Sequence, residues 1–185
     1  MRKLKNSELN RLSIEAYKNV NKLPIIIVLD NIRSMNNIGS AFRTADAFRV
    51  ESIYLCGITA TPPHREIQKT ALGATESVNW QYFNSTLDAV KKLKSEGYKL
   101  FSIEQAEESI FLSKFVPENE KIAYVFGNEI NGVDEQVMQI VDGCIEIPQF
   151  GTKHSLNVSV SIGIVIWDYF AKQLSFNNFD QNTFK

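Results

Sequence analysis

The chain has 185 residues, of which 44% are hydrophobic and 22% charged, and its formal net charge at pH 7 is −1. These proportions are typical of a globular chain with one well-buried core. The near-neutral charge neither indicates nor excludes a nucleic-acid partner, because local patches rather than the total set the field. No apolar run reaches the length of a membrane span, and the charged first ten residues do not resemble a signal peptide, so we expect a cytoplasmic protein.

Two cysteines and two histidines carry no sign of metal binding. Cys56 and Cys144 lie far apart in strand-like contexts, which favours buried thiols in a reducing compartment. His64 and His154 are solitary, and the chain has no C-x-x-C pair. We therefore predict no metal site.

The chain divides into a basic lead-in over residues 1–23, a main domain over 24–174 and a tail over 175–185, which we expect to be loosely ordered. The lead-in contains several lysines and arginines. Its apolar residues could form one stripe of a helix, made of Leu9, Leu12, Ile14, Tyr17 and Val20. Two interpretations stay open: a solvated helix packed on the main domain, or an arm that contacts phosphate.

Strands and helices alternate through the main domain. The predicted strands are Pro24 to Asp30, Ser52 to Cys56, Trp80 to Phe83, Tyr98 to Ile103, Lys121 to Phe126 and Cys144 to Ile147. The predicted helices are Gly39 to Phe48, His64 to Leu72, Ser85 to Glu96, Asp134 to Ile140 and Ser155 to Phe170. Several strands are apolar at every position. The pattern predicts an α/β fold, a mostly parallel sheet with helices on both faces.

The final helix is the most apolar segment of the chain. Ser155 is its predicted N-cap, because a serine oxygen can accept from the unpaired N–H groups of a first turn. A stripe at helical spacing follows, and Gly163 within it would let another element approach closely. The stripe consists of Leu156, Val160, Gly163, Ile164 and Trp167.

Three polar loops follow strands. The first predicted loop covers residues 31–37. Its polar motif, Asn36 to Gly39, extends into the start of the next helix, and Arg43 lies just inside that helix. The second loop covers Phe126 to Gly132, and the third covers Gln149 to Asn157. Ligands bind beyond the carboxyl ends of strands in open α/β sheets. The three loops therefore predict one shared site for a polar ligand.

Common nucleotide and hydrolase motifs do not explain these loops. No G-x-G-x-x-G occurs, and Gly127 and Gly132 have the glycine spacing of a P-loop but are followed by Val133 instead of lysine. Ser155 lies beside His154, yet no G-x-S-x-G elbow surrounds it. Dinucleotide binding, nucleotide hydrolysis and serine hydrolase chemistry are therefore disfavoured.

The loops contain three short patterns in a fixed order. They are N-x-G-x-x-x-R-T from Asn37 to Thr44, F-G-x-E-x-x-G from Phe126 to Gly132, and I-P followed by S-L-N-V from Ile147 to Val158. Together they resemble the motifs of the SpoU (TrmH) family of RNA ribose 2′-O-methyltransferases, in the SPOUT class. The resemblance covers about residues 24–172, with small departures at Asn36 and Ser161. It shows no counterpart of the N-terminal RNA-binding domain of many relatives, which leaves the RNA target open.

The resemblance implies a C-terminal trefoil knot, a rare exception to unknotted topology. It also implies binding of S-adenosylmethionine in that knot and a homodimer whose last helix helps form the interface, with the site completed across subunits. Carried over by motif, the cofactor residues are Gly127, Ile147 and Leu156, assisted by Asn128, Pro148 and Glu104.

The resemblance makes Arg43 the first catalytic candidate. Arginine does not lose its proton in proteins, so we expect Arg43 to stabilise developing alkoxide charge rather than act as a base. Its expected position in the first turn of a helix would favour the binding of an RNA phosphate next to it. The alternative is an ordinary surface arginine.

Four further residues complete the predicted catalytic set. Glu129 either orients Arg43 or the hydroxyl, or caps the helix that follows. Asn37, Asn157 and Ser155 are expected to hold the loops and the ribose by hydrogen bonds, with capping as the alternative role of Ser155.

The predicted partner is tRNA or rRNA, contacted by exposed cations at Arg33, Arg65 and Lys69. Two alternatives stay open at this point. One is a SPOUT-like module that binds S-adenosylmethionine or RNA without catalysis, and the other is methylation of an RNA base.

Overall fold

A computed structural model describes residues 1–9, 11–118 and 120–176. Nearly all of the predicted tail lies outside these residues. No helix among the described residues is long and apolar enough to cross a bilayer.

A seven-stranded sheet forms the centre of the described chain, and every strand pair in it is parallel. In chain order the strands are β1 (Leu23–Asp30), β2 (Val50–Cys56), β3 (Asn79–Phe83), β4 (Lys99–Ile103), β5 (Ile110–Phe111), β6 (Ile122–Phe126) and β7 (Gly143–Glu146). Their order across the sheet is β3-β2-β1-β6-β4-β7-β5. The predicted parallel sheet is confirmed, but β5 was missed because two residues carry no periodic signal.

Helices cover both faces of the sheet, as predicted. They are α1 (Ile14–Asn19), α2 (Met35–Ala47), α3 (Arg65–Ala71), α4 (Ala74–Ser77), α5 (Thr86–Ser95), α6 (Glu135–Met138) and α7 (Val158–Phe176). Alternate side chains of a strand point to opposite faces. Ile25, Ile27 and Leu29 of β1 thus join the core beneath α2, α3 and α7, whereas Ile26 and Val28 join the core beneath α5 and α6.

Helix α2 begins earlier than predicted. The hydroxyl oxygen of Ser34 accepts a hydrogen bond from the backbone N–H of Asn37 at 3.3 Å, which caps the first turn. The prediction of a loop over residues 31–37 was therefore wrong at its end. A Cβ on Gly39 would lie 2.1 Å from Oγ1 of Thr70 and 2.3 Å from the carbonyl oxygen of Ile67, so glycine is what allows α2 and α3 to pack this closely.

Helix α7 begins later than predicted. Asn157, and not Ser155, caps it: the side-chain oxygen of Asn157 accepts from the N–H of Ser159 at 2.9 Å and from its hydroxyl at 2.6 Å. The predicted apolar stripe is also not the core face. Val160 and Trp167 are 49% and 55% exposed. The buried face consists of Val158, Ile162, Val165, Ile166 and Tyr169.

Helix α1 of the lead-in packs on the domain, and Tyr17 is its buried residue. Ser13 caps the short helix α1, and Tyr17 is buried with its hydroxyl donating to the carbonyl of Ala45 at 3.3 Å. The other members of the predicted stripe that lie before Tyr17 are exposed, so that stripe was wrong. They are Leu9, Leu12 and Ile14.

Candidate active site

The predicted loops meet at one edge of the sheet. Because β1, β6, β4 and β7 are neighbours and parallel, their carboxyl ends lie side by side. The segments that follow β4, β6 and β7 enclose a cleft of about 400 Å³, which is of small-molecule size. Seven predicted site residues line it: Glu104, Gly127, Asn128, Glu129, Ile147, Ser155 and Leu156.

The loop after β6 is folded tightly on itself. A Cβ on Gly127 would lie 2.0 Å from the carbonyl carbon of Gly132, so no other residue fits there without moving the backbone. Asn128 and Gly132 exchange two backbone hydrogen bonds of 3.1 and 3.0 Å. The side chain of Asn128 is used inside the loop, where its oxygen accepts from Ile130 and Asn131 and its nitrogen donates to Gly132.

Glu104 supports this loop from the end of β4. Its Oε2 accepts from the N–H of Val133 at 3.3 Å, and its backbone N–H donates to Ile145 of β7 at 3.1 Å. Gly132 has a φ of +68°, and a Cβ there would meet Oε2 of Glu104 at 2.2 Å. Glu104 therefore places a carboxylate in the wall of the cleft while it joins β4, β7 and the loop after β6.

A chain of side-chain hydrogen bonds joins all three motifs. The amide nitrogen of Asn157 donates to the side-chain oxygen of Asn37 at 3.1 Å, and the amide nitrogen of Asn37 donates to Oε1 of Glu129 at 2.9 Å. These contacts span 120 and 92 residues of sequence. Glu129 does not cap the next helix, because Asp134 does so by accepting from Gln136 at 2.8 Å. The alternative capping role of Glu129 was therefore wrong.

Arg43 lies elsewhere in the single chain. It is in the third turn of α2, so its expected place in the first turn was wrong. Its exposed side chain lines a separate cavity of about 560 Å³, together with Arg11, Asp46 and Arg49. Within the described part of the chain its guanidinium has no hydrogen-bond or ion-pair partner.

Other predicted residues also lie outside the cleft. Pro148 is not part of its lining, although both neighbours are. Arg33 lines a small cavity of about 210 Å³ on the other side of the loop after β6. Arg65 and Lys69 are exposed on α3, and the amine of Lys69 is paired with the carboxylate of Glu66 at 2.7 Å.

The predicted second and third loops contain further lining residues, namely Phe126, Ile130, Asn131, Gly132, Gln149 and His154. Four lining residues lie outside these loops and were missed: Ile103, Gln105, Val158 and Ser161. The first three are direct neighbours of predicted residues, so proximity in sequence was the available signal. Ser161 was noted only as a departure from the motif, and its place one turn inside α7 puts it at the edge of the cleft.

The charges of the cleft are acidic. Glu104 and Glu129 contribute carboxylates, and neither lysine nor arginine is among its described lining residues. Such a wall favours a ligand that carries positive charge over one that carries phosphate. Among the described residues, no group of three or more His, Cys, Asp and Glu is placed to hold a metal ion.

The two thiols are buried and free, as predicted. Burial raises the pKa of Cys56 to about 12 and also raises the pKa of Cys144. Both are therefore protonated at neutral pH, and a thiol in that form is a poor nucleophile. Cys144 donates to the carbonyl of Glu104 at 3.4 Å, which makes it a packing element beside the cleft.

A family profile described as the SpoU rRNA methylase family matches residues 24–167. The chain belongs to this family. A 23S rRNA (guanosine-2′-O-)-methyltransferase RlmB of Neisseria meningitidis is 30% identical over 152 residues, which are 82% of this chain and 60% of that protein. The chain thus spans about three fifths of the length of that SpoU relative.

Solved structures of SpoU relatives share the fold. The tRNA modifying enzyme TrmH/SpoU of Aquifex aeolicus has a TM-score of 0.76 at 23% identity, over 88% of this chain and 81% of that one. An AdoMet-bound rRNA methyltransferase of Sinorhizobium meliloti has a TM-score of 0.76 at 22% identity, over 84% of this chain and 59% of that one. The predicted α/β SPOUT-like fold class is confirmed.

Proposed function

We propose that this chain transfers a methyl group from S-adenosylmethionine to a ribose 2′-hydroxyl of tRNA or rRNA. The observation that carries the proposal is the hydrogen-bond chain from Asn157 through Asn37 to Glu129, which joins the three SpoU motifs beside the cleft that Glu129 lines. The similar proteins named above, which modify rRNA or tRNA, support the substrate class.

The cleft fits the cofactor in size and charge. S-adenosylmethionine carries a sulfonium and an ammonium group, which suit a wall that contains Glu104 and Glu129. Gly127, Ile147 and Leu156 would hold its adenosine and methionine parts, with Glu104 and the remaining groups of Asn128 beside them. When bound, it would supply an electrophilic methyl group for the 2′-oxygen, with S-adenosylhomocysteine as the leaving group and the hydroxyl proton released to solvent.

The residues of the chain position the ribose. Asn37 and Asn157 are held by each other, and Asn37 is held also by Glu129, so their remaining polar groups have fixed directions. Fixed groups of this kind hold a hydroxyl in line for displacement without reorganisation. Asn37 and Asn157 lie beside the cleft and not in its lining, whereas Ser155 lines it and can donate a hydrogen bond to the ribose.

The position of Arg43 supports a site shared by two subunits. Its cavity is also lined by Phe48 and Phe170, which form an aromatic group with Trp167 at centroid distances of 5.5 to 6.0 Å. Trp167 is 55% exposed, and a Cβ on Gly163 would meet nothing within 4 Å. We infer that a second copy packs against α7 here and that Arg43 faces the partner's cleft, where it stabilises the developing alkoxide.

Two further features of the family belong to this proposal. The chain leaves β7, near one edge of the sheet, and returns to pack α7 against α2 beneath β1, which supports the trefoil knot. An RNA substrate and two free thiols support a cytoplasmic location.

The test is incorporation of tritiated methyl from S-adenosylmethionine into RNA from cells that lack this protein, followed by nuclease digestion to nucleosides. Label in a 2′-O-methylnucleoside is the expected result. Label in a methylated base would show that the chain methylates RNA bases and not the ribose. Cofactor binding without label, at protein concentrations that saturate the RNA, would instead identify a module that binds but does not catalyse.

A further inference from the structure

Among the large hydrophobic residues of the described chain, Phe150 is the most exposed after the terminal methionine, at 97% of its full accessible area. It lies in the loop between β7 and α7, and its neighbour Gln149 lines the cleft. The tip of the loop has open space around it, because a Cβ on the next residue, Gly151, would meet nothing within 4 Å.

Other exposed aromatic residues have partners that explain their positions. Trp167 packs against Phe48 and Phe170, Tyr82 donates its hydroxyl hydrogen to the carbonyl of Gly57 at 2.9 Å, and the ring of Phe111 has the amine of Lys114 at 5.9 Å. Phe150 has no such contact within the described part of the chain. A phenyl ring that is exposed in this way buries little apolar area, so it contributes little to the stability of the fold. Its position beside the cleft therefore points to contact with a ligand.

The neighbourhood of Phe150 suits a nucleotide. Lys153, three residues along the same exposed loop, supplies a positive charge for a phosphate, and His154 lines the cleft. Across the cleft, the loop after β6 presents Ile130, which is 67% exposed. An unstacked base can place its face on an aromatic ring while the adjacent phosphate meets a cation, which is the usual arrangement for single-stranded RNA.

We propose that Phe150 is a stacking platform for an unpaired RNA base, either that of the target nucleotide or that of its neighbour. The ring receives the base face outside the cleft while the ribose enters it. This inference rests on the proposed function and adds a specificity-determining residue to it, since only an RNA segment with an unpaired base at this point gains the contact.

The test compares Phe150→Ala with Phe150→Trp and Phe150→Leu in the full chain. The RNA probe is unfractionated tRNA and rRNA from cells that lack this protein, and the matched control is Tyr82→Ala, an exposed aromatic on β3 at the opposite side of the sheet. Phe150→Ala should raise the KM for RNA about tenfold and leave the dissociation constant for S-adenosylhomocysteine within twofold. Phe150→Trp should retain the wild-type KM, and Phe150→Leu should not.

Three results would overturn the platform. The first is a KM for RNA in Phe150→Ala that equals the KM in Tyr82→Ala. The second is a parallel loss of affinity for S-adenosylhomocysteine, which would make Phe150 a cover for the cofactor. The third is a wild-type KM in Phe150→Leu, which would indicate an apolar contact without stacking. If the wild-type chain transfers no methyl, filter binding of the same RNA to the same variants still measures the platform separately from the proposed function.

Discussion

The cleft lined by Glu104 and Glu129 and the cavity lined by Arg43 are built in different ways. The cleft lies between loops that are joined by hydrogen bonds and close glycine contacts, and its charged walls are acidic. The cavity lies between α2, the segment from the end of α3 to α4, and the lead-in, with Phe170 of α7 also in its lining; it has three arginines and is partly lined by exposed apolar side chains. A single chain therefore has a preformed acidic cleft that suits a positively charged small molecule. Its proposed catalytic arginine lies instead on a surface that suits a second copy of the chain.

The largest expected effect comes from Arg43→Ala. Loss of the guanidinium removes transition-state stabilisation, so kcat should fall about a hundredfold to a thousandfold. The dissociation constant of S-adenosylmethionine should stay within twofold, because Arg43 does not line the cleft of its own chain. Calorimetric titration and methyl transfer measure the two quantities. Arg43→Lys, which keeps the charge but loses the planar fork, should recover only part of the rate; an unchanged kcat in Arg43→Ala would remove this residue from the mechanism.

A mixing experiment tests whether the two regions belong to one site across subunits. Arg43→Ala homodimers are expected to be nearly inactive, and Gly127→Ala homodimers likewise when S-adenosylmethionine is kept far below their raised dissociation constant. After random reassortment at equal amounts, half of the dimers carry one complete site, so about a quarter of wild-type activity should return. A site contained within one chain would give no recovery, which distinguishes the two arrangements by a single rate measurement.

Gly127→Ala on its own should weaken cofactor binding about tenfold or more, because its Cβ would lie 2.0 Å from the backbone of Gly132 and the loop must shift. Gly151→Ala is the matched control, since its Cβ would meet nothing within 4 Å. Equal dissociation constants for the two variants, measured by calorimetry, would contradict the close packing assigned to this loop.

Asn37→Asp should lower kcat about tenfold, because it replaces the donor that meets Glu129 with a second carboxylate. Adding Glu129→Gln to that variant restores a donor–acceptor pair and should recover part of the loss. Asn36→Asp is the control, since its exposed side chain lies one residue away. Independent, additive effects of the two substitutions would show that this hydrogen bond does not couple the motifs.

The smallest effect is expected at the cations of α3. Arg65→Ala should reduce the slope of log affinity for RNA against log salt by about one, as expected for the loss of one phosphate contact. Lys69→Ala should change the slope less, because Glu66 already neutralises part of its charge. Filter binding of bulk tRNA at several salt concentrations measures both slopes. Identical slopes for wild type and Arg65→Ala would place the RNA on another surface.

The parallel sheet and the meeting of the second and third polar loops around one cleft could be predicted from sequence, because both depend on local rules. Apolar runs such as Ile25–Leu29 identify buried strands, and polar loops after parallel strands must lie at one edge. Helix boundaries were harder to predict. Ser34 and Ser155 are equally good N-cap residues by type, and only the three-dimensional structure decides that Ser34 caps a helix while Asn157 takes that position from Ser155.

The orientation of α7 could not be predicted from its own sequence. The helix is apolar on nearly every side, so helical spacing gives two acceptable stripes. The structure buries the stripe of Ile162 and Ile166 against the sheet and leaves that of Val160 and Trp167 exposed. Likewise, Arg43 follows Asn37 closely in sequence, but a separation of six residues puts the two side chains on different sides of α2.

Asn157 begins α7 and holds Asn37, and this double contact has a consequence during translation. The strands that frame the cleft are complete once Glu146 has been added, but the bond across 120 residues cannot form until Asn157 has left the ribosome exit tunnel. A nascent chain therefore lacks the bond between Asn157 and Asn37 while all seven strands are already made. Copies that stop short of Asn157 carry the strands of the sheet but cannot join the first and third motifs in this way.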